Sequence, residues 1–433
     1  MAMQKLSTSN ESFEQQLTHL LHWDMHTDSA LDQQVAAIVG DVRQRGDAAV
    51  LELTNELDRR NVKEAQGLQL PTQALLEAWQ RLQPKHQDAL QTAAERIRVF
   101  HRRQLESSWS FEDELGNRLG QRISPLQNVG VYVPGGQAAY PSSVLMTLIP
   151  AKVAGVENIV VTTPTPDEVR SDMVMAALYL GGADQVFTIG GAQAIAALAY
   201  GTASIPRVDK IVGPGGAYVA TAKKQVFGQV GIDMIAGPSE VLILADGTTP
   251  VDWAVMDLFS QAEHDRSAQS ILISDNHDYI EQVAARIDVL LPQMARADII
   301  QDALTRRGAL IQCADKEQAL ALANRIAPEH LELCTNYNNK IIKGVKNVGS
   351  IFIGKFSPEA IGDYIAGPNH VLPTSGSARF SSPLGVYDFQ KRTSVIECSE
   401  EGASDLGRLS ESLAKVEGLE AHARSAAYRS RKF

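Results

Sequence analysis

The sequence predicts an α/β fold with two parallel β-sheets, preceded and followed by helical segments. Between residues 130 and 226, short β-branched strands run repeatedly into a glycine-rich turn and then into a helix. The alternation of strands and helices resumes near residue 236 and continues to residue 354. Repeated strand–turn–helix units are typical of a parallel sheet covered by helices. The two ends of the chain lack such strands and show helical spacing instead.

The N-terminal region predicts several helices and no chemistry. Apolar residues recur at three- and four-residue spacing in SALDQQVAAIVGDVRQRG and in DAAVLELTNELD. Pro71 opens the next helix, and Pro84 interrupts the pattern before KHQDALQTAAERIRVFHRR. We expect this region to be structural.

The glycine-rich turns are candidates for binding a dinucleotide. A helix that follows such a turn presents free N–H groups and the positive end of its dipole, which suit a pyrophosphate. None of the turns, in GVYVPGG, TIGGAQ or VGPGGAY, is a strict GxGxxG with an acidic residue some twenty positions later. Glycines that serve only to relieve steric strain therefore remain an alternative.

Two pairs of residues that could bind a metal or transfer protons lie at the ends of predicted helices after residue 250. The predicted helix VDWAVMDLFSQAEHD carries Gln261 and His264, which share one face because they are three residues apart. The helix DKEQALALANRIA is stopped by Pro328, and Glu329 and His330 follow at once. An adjacent carboxylate and imidazole can divide two proton transfers between them. The alternative is that both side chains of this pair lie in solvent.

The stretch EAIGDYIAGPNHVLPTSGSARFSSPLG, residues 359–385, shows neither a helical nor a strand period. A long irregular segment inside a compact chain is usually a functional loop or disordered. Apolar residues along it, such as Val371 and Leu372, favour the loop. It carries Asp363 and His370, and Asp363 with His422 could join Gln261 and His264 in a metal site. Oxygen and imidazole donors suit zinc or another first-row divalent ion. Taken singly, each of these residues could equally be structural.

Composition excludes several classes of function. The chain has 433 residues, 44% hydrophobic and 21% charged, and a net charge of -11, which disfavours nucleic-acid binding. We see no secretory signal and no apolar run long enough to span a membrane. Cys313, Cys334 and Cys398 lie far apart, so we expect a reduced, cytoplasmic protein. No GxSxG surrounds Ser239, which disfavours a serine hydrolase, and a cysteine-based aldehyde oxidation has little support.

Seven stretches, taken in order, resemble the histidinol dehydrogenase family. They are VYVPGG, GGAQAIAALAYGT, DMIAGPSEVLI, DLFSQAEHD, APEHLEL, GDYIAGPNHVLPTSGSARFSSPL and GLEAHARS. The resemblance covers nearly the whole chain. It implies oxidation of L-histidinol to L-histidine through L-histidinaldehyde by two NAD, the last steps of histidine biosynthesis.

The resemblance also implies roles for single residues. It implies that Glu329 and His330 are the catalytic pair, with His330 removing the hydroxyl proton and Glu329 activating water for the second oxidation. The implied zinc ligands are Gln261, His264, Asp363 and His422. The implied substrate contacts are Ser239, His370 and Glu417, and the four zinc ligands and His330 also contact the substrate. The implied NAD contacts are Tyr132 and Gln193. Gly216 departs from the family, which commonly has Asn there, so one cofactor contact is in doubt.

The resemblance implies a homodimer in which the C-terminal segment of one chain completes the site of the other. We expect two Rossmann-like α/β domains, the first from residues 29–129 and 237–383 and the second, which binds the dinucleotide, from 130–236. Helical segments are expected at 1–28 and 384–433. A zinc hydrolase and a non-catalytic nucleotide-binding protein are the rival hypotheses, and the glycine-rich turns count against the first of them.

Overall fold

The computed structural model describes residues 3–22, 29–135, 140–336 and 338–430. The strands within these ranges are β1 Gln4–Ser7, β2 Gln69–Leu70, β3 Trp109–Glu112, β4 Arg118–Pro125, β5 Asn128–Tyr132, β6 Asn158–Thr162, β7 Gln185–Phe187, β8 Lys210–Val212, β9 Gly231–Ile232, β10 Glu240–Ala245, β11 Gln269–Ser274, β12 Gly308–Gln312, β13 His330–Cys334, β14 Ser350–Ile353 and β15 Gln390–Glu397.

The helices lie between these strands in the alternation that the sequence predicts. They are α1 Phe13–Leu21, α2 Ser29–Arg45, α3 Asp47–Leu57, α4 Thr72–Arg81, α5 Pro84–Arg102, α6 Pro141–Ala154, α7 Asp172–Gly181, α8 Gly191–Tyr200, α9 Ala217–Val226, α10 Val251–Ala262, α11 His277–Leu290, α12 Ala297–Arg307, α13 Lys316–Ile326, α14 Asn338–Ile341, α15 Glu359–Ile361, α16 Glu400–Val416 and α17 Glu420–Arg429.

The first sheet has six parallel strands in the order β1-β12-β11-β10-β13-β14. Its central strands, β10 and β11, are buried along their whole length, as expected for a parallel sheet covered on both faces. The edge strand β1 comes from residues 1–28, where we expected only helix. That expectation was incomplete, because QKLS is too short to show a strand period and pairs only with the distant β12.

The second sheet also has six strands, in the order β2-β7-β6-β5-β8-β9, all parallel except β2. The chain runs outward from the central β5 to β6 and β7, and then returns to place β8 on the other side of β5. The direction of winding therefore reverses between β5 and β8. Open α/β sheets bind ligands in the crevice at such a reversal, outside the carboxyl ends of the strands.

The helices α2 to α5 cover the second sheet, whereas α1 packs against the first. Apolar residues of α4 and α5 share a core with β5, β6 and α6, and those of α2 and α3 share a core with β8 and α8. This packing differs from the expected grouping of residues 29–129 with 237–383. A helical period shows which face of a helix is apolar but not which sheet that face covers.

A third, antiparallel sheet, in the order β15-β4-β3, was not anticipated. Its strand β15 lies in residues 384–433, where a helical segment was expected, and is exposed along most of its length. The helices α16 and α17 follow and confirm the helical end of the chain. A solvated strand such as QKRTSVIE has no apolar period to reveal it.

The carboxyl edge of the second sheet faces the amino edge of the first. The segment from Asp233 to Ser239 joins β9 to β10, so it connects the carboxyl end of a strand in the second sheet to the amino end of a strand in the first. A cavity of about 270 Å³ between the edges is lined by Gly135 and Tyr140 on one side and by His264 and Arg266 on the other. Within the described ranges, no helix combines the length and apolar character needed to cross a membrane.

Candidate active site

Glu329 and His330 lie at the buried amino end of β13, which pairs with the central strand β10 and the edge strand β14 of the first sheet. Helix α13 ends at Ala327, which has a left-handed backbone (φ 54°), and Pro328 then turns the chain into the strand. The two side chains are only 6% and 3% exposed. The alternative that both lie in solvent is therefore wrong. Burial results from pairing of β13 with strands on both sides, which a single sequence does not show.

The imidazole of His330 is oriented by the neighbouring strand. Its Nδ1 lies 3.0 Å from the carbonyl oxygen of Glu240, so Nδ1 carries a proton and donates it to this oxygen. Its Nε2 is buried without a hydrogen-bond partner and lies 3.5 Å from Oδ1 of Asp363. The ring therefore presents Nε2 to whatever binds beside Asp363.

Besides Asp363, four glutamates take part in the hydrogen bonds around this imidazole. Oε2 of Glu329 accepts the N–H of Glu240 (2.9 Å), and Oε2 of Glu240 accepts the N–H of Glu329 (3.3 Å). Oε1 of Glu332 accepts the N–H of Glu359 (2.8 Å). These bonds fix the carboxylates of Glu329 and Glu359 at 3.6 Å and 3.9 Å from Nδ1 of His330.

Gln261 extends this network from the last turn of α10. With its amide oriented so that both of its groups are satisfied, it donates to the carboxylate of Glu359 and accepts the N–H of Glu240 at 2.9 Å. The predicted helix is confirmed as far as Ala262, with Gln261 in its last turn. His264, predicted on the same helical face, lies beyond the end of the helix and is exposed, whereas Gln261 is buried. The polar end of α10 thus faces the same cluster as the amino ends of β10 and β13.

Burial of so many acids shifts their titration toward neutral pH. Burial raises the pKa of Glu329 to about 7 and, with repulsion from Glu329, that of Glu240 to about 8. Deeper in the sheet, burial raises the pKa of Glu332 to about 8 and that of Asp257 to about 6. Burial opposes the charged form of His330, but the carboxylates of Glu359, Glu329 and Asp363 raise its pKa well above its usual value. Such groups can take up and release protons at neutral pH.

The irregular stretch brings Asp363 and His370 to the cluster, as predicted. Asp363 lies in a turn of π-helix, Gly362–Ala366, and its backbone carbonyl accepts a hydrogen bond from Nδ1 of His370 (2.8 Å). Nε2 of His370 lies 3.2 Å from Oγ of Ser143, in the first turn of α6. His370 therefore links the irregular stretch to the second sheet.

Among the His, Cys, Asp and Glu side chains that the structure describes, the donor atoms close enough to hold one metal ion are those of His330, Glu359 and Asp363, which all lie within 4.8 Å of one another. This group shares only Asp363 with the predicted ligand set. Gln261 contacts Glu359, whereas His264 is exposed at the wall of the 270 Å³ cavity. A buried nitrogen without a partner, beside two carboxylates, is a donor set that fits a divalent cation.

Two predicted residues of the C-terminal segment lie on the surface. Glu417 directly follows α16 and His422 lies on α17, and both side chains are exposed. Neither makes a described contact with the cluster around His330. Ser239, by contrast, is half-buried directly before Glu240.

The predicted NAD contacts meet at the carboxyl edge of the second sheet. Tyr132 ends β5, and its hydroxyl oxygen accepts the N–H of Gly191 (3.2 Å). Burial raises the pKa of this hydroxyl to about 12. Gln193 lies one turn into α8, and its Oε1 is buried without a hydrogen-bond partner. Further buried polar atoms without partners at this edge belong to Thr162, Thr165, Asp58 and Arg60.

Sequence reasoning assigned no role to Glu240, Glu332, Glu359, Asp58 or Arg60. Glu332 had a visible signal, because it is an acidic residue inside the apolar strand HLELC. Glu240 likewise begins the apolar run EVLILA. An acid in a strand that is otherwise continuously apolar indicates a buried, partnered carboxyl group.

Comparison with known proteins identifies close relatives. A family model described as histidinol dehydrogenase matches residues 22–430. Histidinol dehydrogenase of Methylococcus capsulatus is 56% identical over 429 residues, covering 99% of this chain and 98% of the relative. That of Pseudomonas putida is 55% identical, covering 99% and 97%. The crystal structure of histidinol dehydrogenase from Elizabethkingia anophelis superposes with a TM-score of 0.93 at 32% identity, covering 99% and 98%.

Proposed function

The chain belongs to the histidinol dehydrogenase family, and from this premise we propose which of its residues perform the reaction. It is an NAD-dependent oxidoreductase of histidine biosynthesis that oxidises L-histidinol to L-histidine through L-histidinaldehyde. The hydrolase and the non-catalytic binding protein are thereby set aside. What remains to be assigned is the task of each side chain.

We assign the proton transfers to Glu329 and His330, and the orientation of His330 is the observation that carries this assignment. Its Nδ1 is held by the carbonyl of Glu240, so its unpartnered Nε2 is the atom that can remove the hydroxyl proton of L-histidinol. Glu329, with a pKa of about 7, then activates the water that attacks the aldehyde. The hydrate gives its hydride to a second NAD, so no cysteine nucleophile is required.

The metal in this proposal is zinc, held by Gln261, His264, Asp363 and His422. The support is the contact of Gln261, at the end of α10, with Glu359, and the unpartnered Nε2 of His330 beside Asp363. A cation bound there would orient the imidazole and amine of the substrate and offset the carboxylates that now favour protonation of His330. Glu359, which belongs to the observed donor group but not to the proposed ligand set, would accept hydrogen bonds from the ligand Gln261.

We propose a homodimer in which the C-terminal segment completes the partner's site. His422 and Glu417 are exposed and make no described contact with their own cluster, which supports a role for them in the site of a second chain. The helix α16 beside them exposes a row of apolar side chains, with Leu409 64%, Leu413 68% and Val416 87% exposed. An exposed apolar face of this kind is typical of a protein interface.

The dinucleotide is proposed to bind at the reversal between β5 and β8, contacting Tyr132 and Gln193. The unpartnered Oε1 of Gln193 supports this position, because a buried polar atom normally has a hydrogen-bond partner. Gly216 precedes α9, and nothing lies within 4 Å of where its Cβ would be. A side chain would therefore fit there, and its absence removes one contact while leaving the backbone N–H in place.

The remaining proposed contacts are with the substrate. Ser239 and His370 approach the cluster from the segments before β10 and after Asp363, and Glu417 would come from the partner. The three unpaired cysteines, two of them buried, support the proposed cytoplasmic location.

The decisive experiment measures NADH formed per L-histidinol consumed, for the untreated, the metal-stripped and the zinc-reconstituted protein. Two NADH per substrate, lost on stripping and restored by zinc, are expected. One NADH would mean that oxidation stops at the aldehyde and that the role given to Glu329 is wrong. Full activity after verified removal of the metal would contradict the proposed zinc site.

A further inference from the structure

A buried ion pair lies beneath the turn that follows β8. The side chains of Lys223, on α9, and Asp233, just after β9, are only 3% and 1% exposed. The carboxylate of Asp233 accepts the ammonium of Lys223, the N–H of Gly213 (2.8 Å) and the N–H of Met234 (2.7 Å). The ammonium also donates to the carbonyl oxygen of Gly213 (3.0 Å). Both backbone groups of Gly213 are thus held by this one pair.

Gly213 lies directly against the end of β5. Its backbone is in the positive region (φ +113°), and a Cβ on it would lie 2.1 Å from the carbonyl oxygen of Tyr132. Only glycine permits this approach. The turn continues through Gly215 and Gly216 into the first turn of α9, where the N–H groups of a helix start face the reversal between β5 and β8.

Support of the fold alone is a weak explanation for this pair. Replacing a buried ion pair by apolar side chains of similar volume is often neutral or stabilising, because two charges must be desolvated to form it. The other lysine or arginine ion pairs of the described residues are more exposed, the nearest being Lys210–Asp388 at 16% and 23%. Unlike apolar side chains, this pair forms hydrogen bonds to the backbone of the turn at Gly213.

We propose that Lys223 and Asp233 are positioning residues that hold the turn Gly213–Gly216 in the conformation that receives the dinucleotide. The inference rests on the proposed dinucleotide site and extends it to two residues that do not themselves contact the cofactor. Because Asp233 also begins the segment that leads to Ser239, the pair fixes the turn relative to the entrance of the first sheet.

The test compares Lys223→Met, Asp233→Asn and the double variant Lys223→Met/Asp233→Leu with the unaltered, metal-loaded protein. We expect the dissociation constant and the KM for NAD to rise at least tenfold, while the dissociation constant for L-histidinol changes less than twofold. The double variant regains stability through apolar packing and is expected to keep the raised KM. Lys223→Arg, which retains the charge and the donors, should recover much of the affinity for NAD.

The chain offers a matched control at the opposite edge of the same sheet. Asp184 accepts both Lys152 (2.8 Å) and the N–H of Ile159 (2.8 Å), so it too combines an ion pair with a backbone contact. Lys152→Met and Asp184→Asn should leave the KM for NAD unchanged, because this pair lies at the amino ends of the strands.

Any of three outcomes in folded variants would overturn the inference. They are an unchanged affinity for NAD in folded variants, an equal loss of affinity for L-histidinol, and a double variant that recovers NAD affinity together with stability. Loss of folding in every variant would also overturn it, because the pair would then be structural. Failure of the unaltered protein to bind NAD would instead contradict the proposed dinucleotide site, so the two failures are distinguishable.

Discussion

The two parallel sheets present opposite ends and opposite chemistry to the space between them. The first sheet contributes the amino ends of β10 and β13, where buried acids and an imidazole hydrogen-bond one another and titrate near neutral pH. The second contributes the carboxyl ends of β5 to β8, where glycine turns and buried polar atoms without hydrogen-bond partners prevail. One edge is a network of titratable groups that leaves Nε2 of His330 without a partner, and the other is a set of backbone turns and buried polar atoms that a ligand can contact.

This arrangement follows from the short connection between the sheets. Ligands of open α/β sheets are expected at carboxyl ends, and the second sheet conforms. The first does not, because the segment from Asp233 to Ser239 passes straight from one sheet into the other. The amino edge of the first sheet is consequently the edge that meets the dinucleotide side. The position of a functional edge thus depends on how two sheets are joined as well as on the fold of each.

The largest expected effect tests the proton-transferring edge. Glu329→Gln keeps the shape of the side chain and its bond to the N–H of Glu240 but removes the base. We expect oxidation of L-histidinaldehyde to slow by roughly 10²–10⁴-fold. The yield should fall toward one NADH per L-histidinol, measured by absorbance and by trapping of the aldehyde. A rate of aldehyde oxidation equal to that of the unaltered enzyme would show that another group activates water.

The second prediction tests whether the site at the first sheet is formed by one chain or needs His422 from a second chain. His422→Ala and Glu329→Gln should each form almost no L-histidine alone, and formation of L-histidine is the activity to be measured. If His422 acts across a dimer, co-refolded mixtures contain heterodimers with one site that carries both changes and one that carries neither. About a quarter of the unaltered activity should then return in an equal mixture, since random pairing makes half of the dimers mixed. No recovery, with exchange of chains verified, would indicate closure within one chain.

Two glycines of the second edge should respond in opposite ways. Gly213→Ala places a Cβ against the carbonyl of Tyr132 in a left-handed backbone, and should lower the free energy of unfolding by about 1–3 kcal/mol and weaken NAD binding. Gly216→Asn enters open space with an ordinary φ of -66° and should leave stability unchanged while strengthening NAD binding severalfold. Denaturant unfolding and NAD titration measure both. Equal destabilisation by the two changes would contradict this view of the turn.

The smallest expected effect is on the pH dependence of stability, and it concerns His101, which contacts the irregular stretch through Asn369. His101 is buried in α5 and hydrogen-bonds Gln104 and Asn369, and burial lowers its pKa below the usual 6.5. Below about pH 6.5 the unfolded chain protonates this imidazole while the folded chain does not, so stability should fall as the pH decreases toward the lowered pKa. His101→Gln should reduce this loss between pH 7 and 5, whereas the exposed His277→Gln should not. Identical pH profiles of unfolding would remove His101 as a contributor.

Much of the fold could be predicted, because the second sheet consists of short apolar strands separated by glycine turns. Three features could not. β1 and β15 are too short or too solvated to carry a period, and the packing partner of α2 to α5 is a long-range choice. At the site, Glu329, His330 and Asp363 were predicted from local pattern and resemblance, and the structure places them close together. The supporting acids Glu240 and Glu332 were missed, because their role comes from contacts between neighbouring strands.

The pairing of β1 with β12 determines which of the two sheets can form first during translation. The second sheet is encoded between residues 69 and 232 and can close while the ribosome is still translating the rest of the chain. The first sheet needs residues 4–7 and 308–312 together, so its first strand must wait while about 300 further residues are added. At roughly 5–20 residues per second this delay is on the order of 15–60 s. During that interval the nascent first strand remains unpaired, and a chaperone that binds the emerging N-terminus would act on this half of the protein alone.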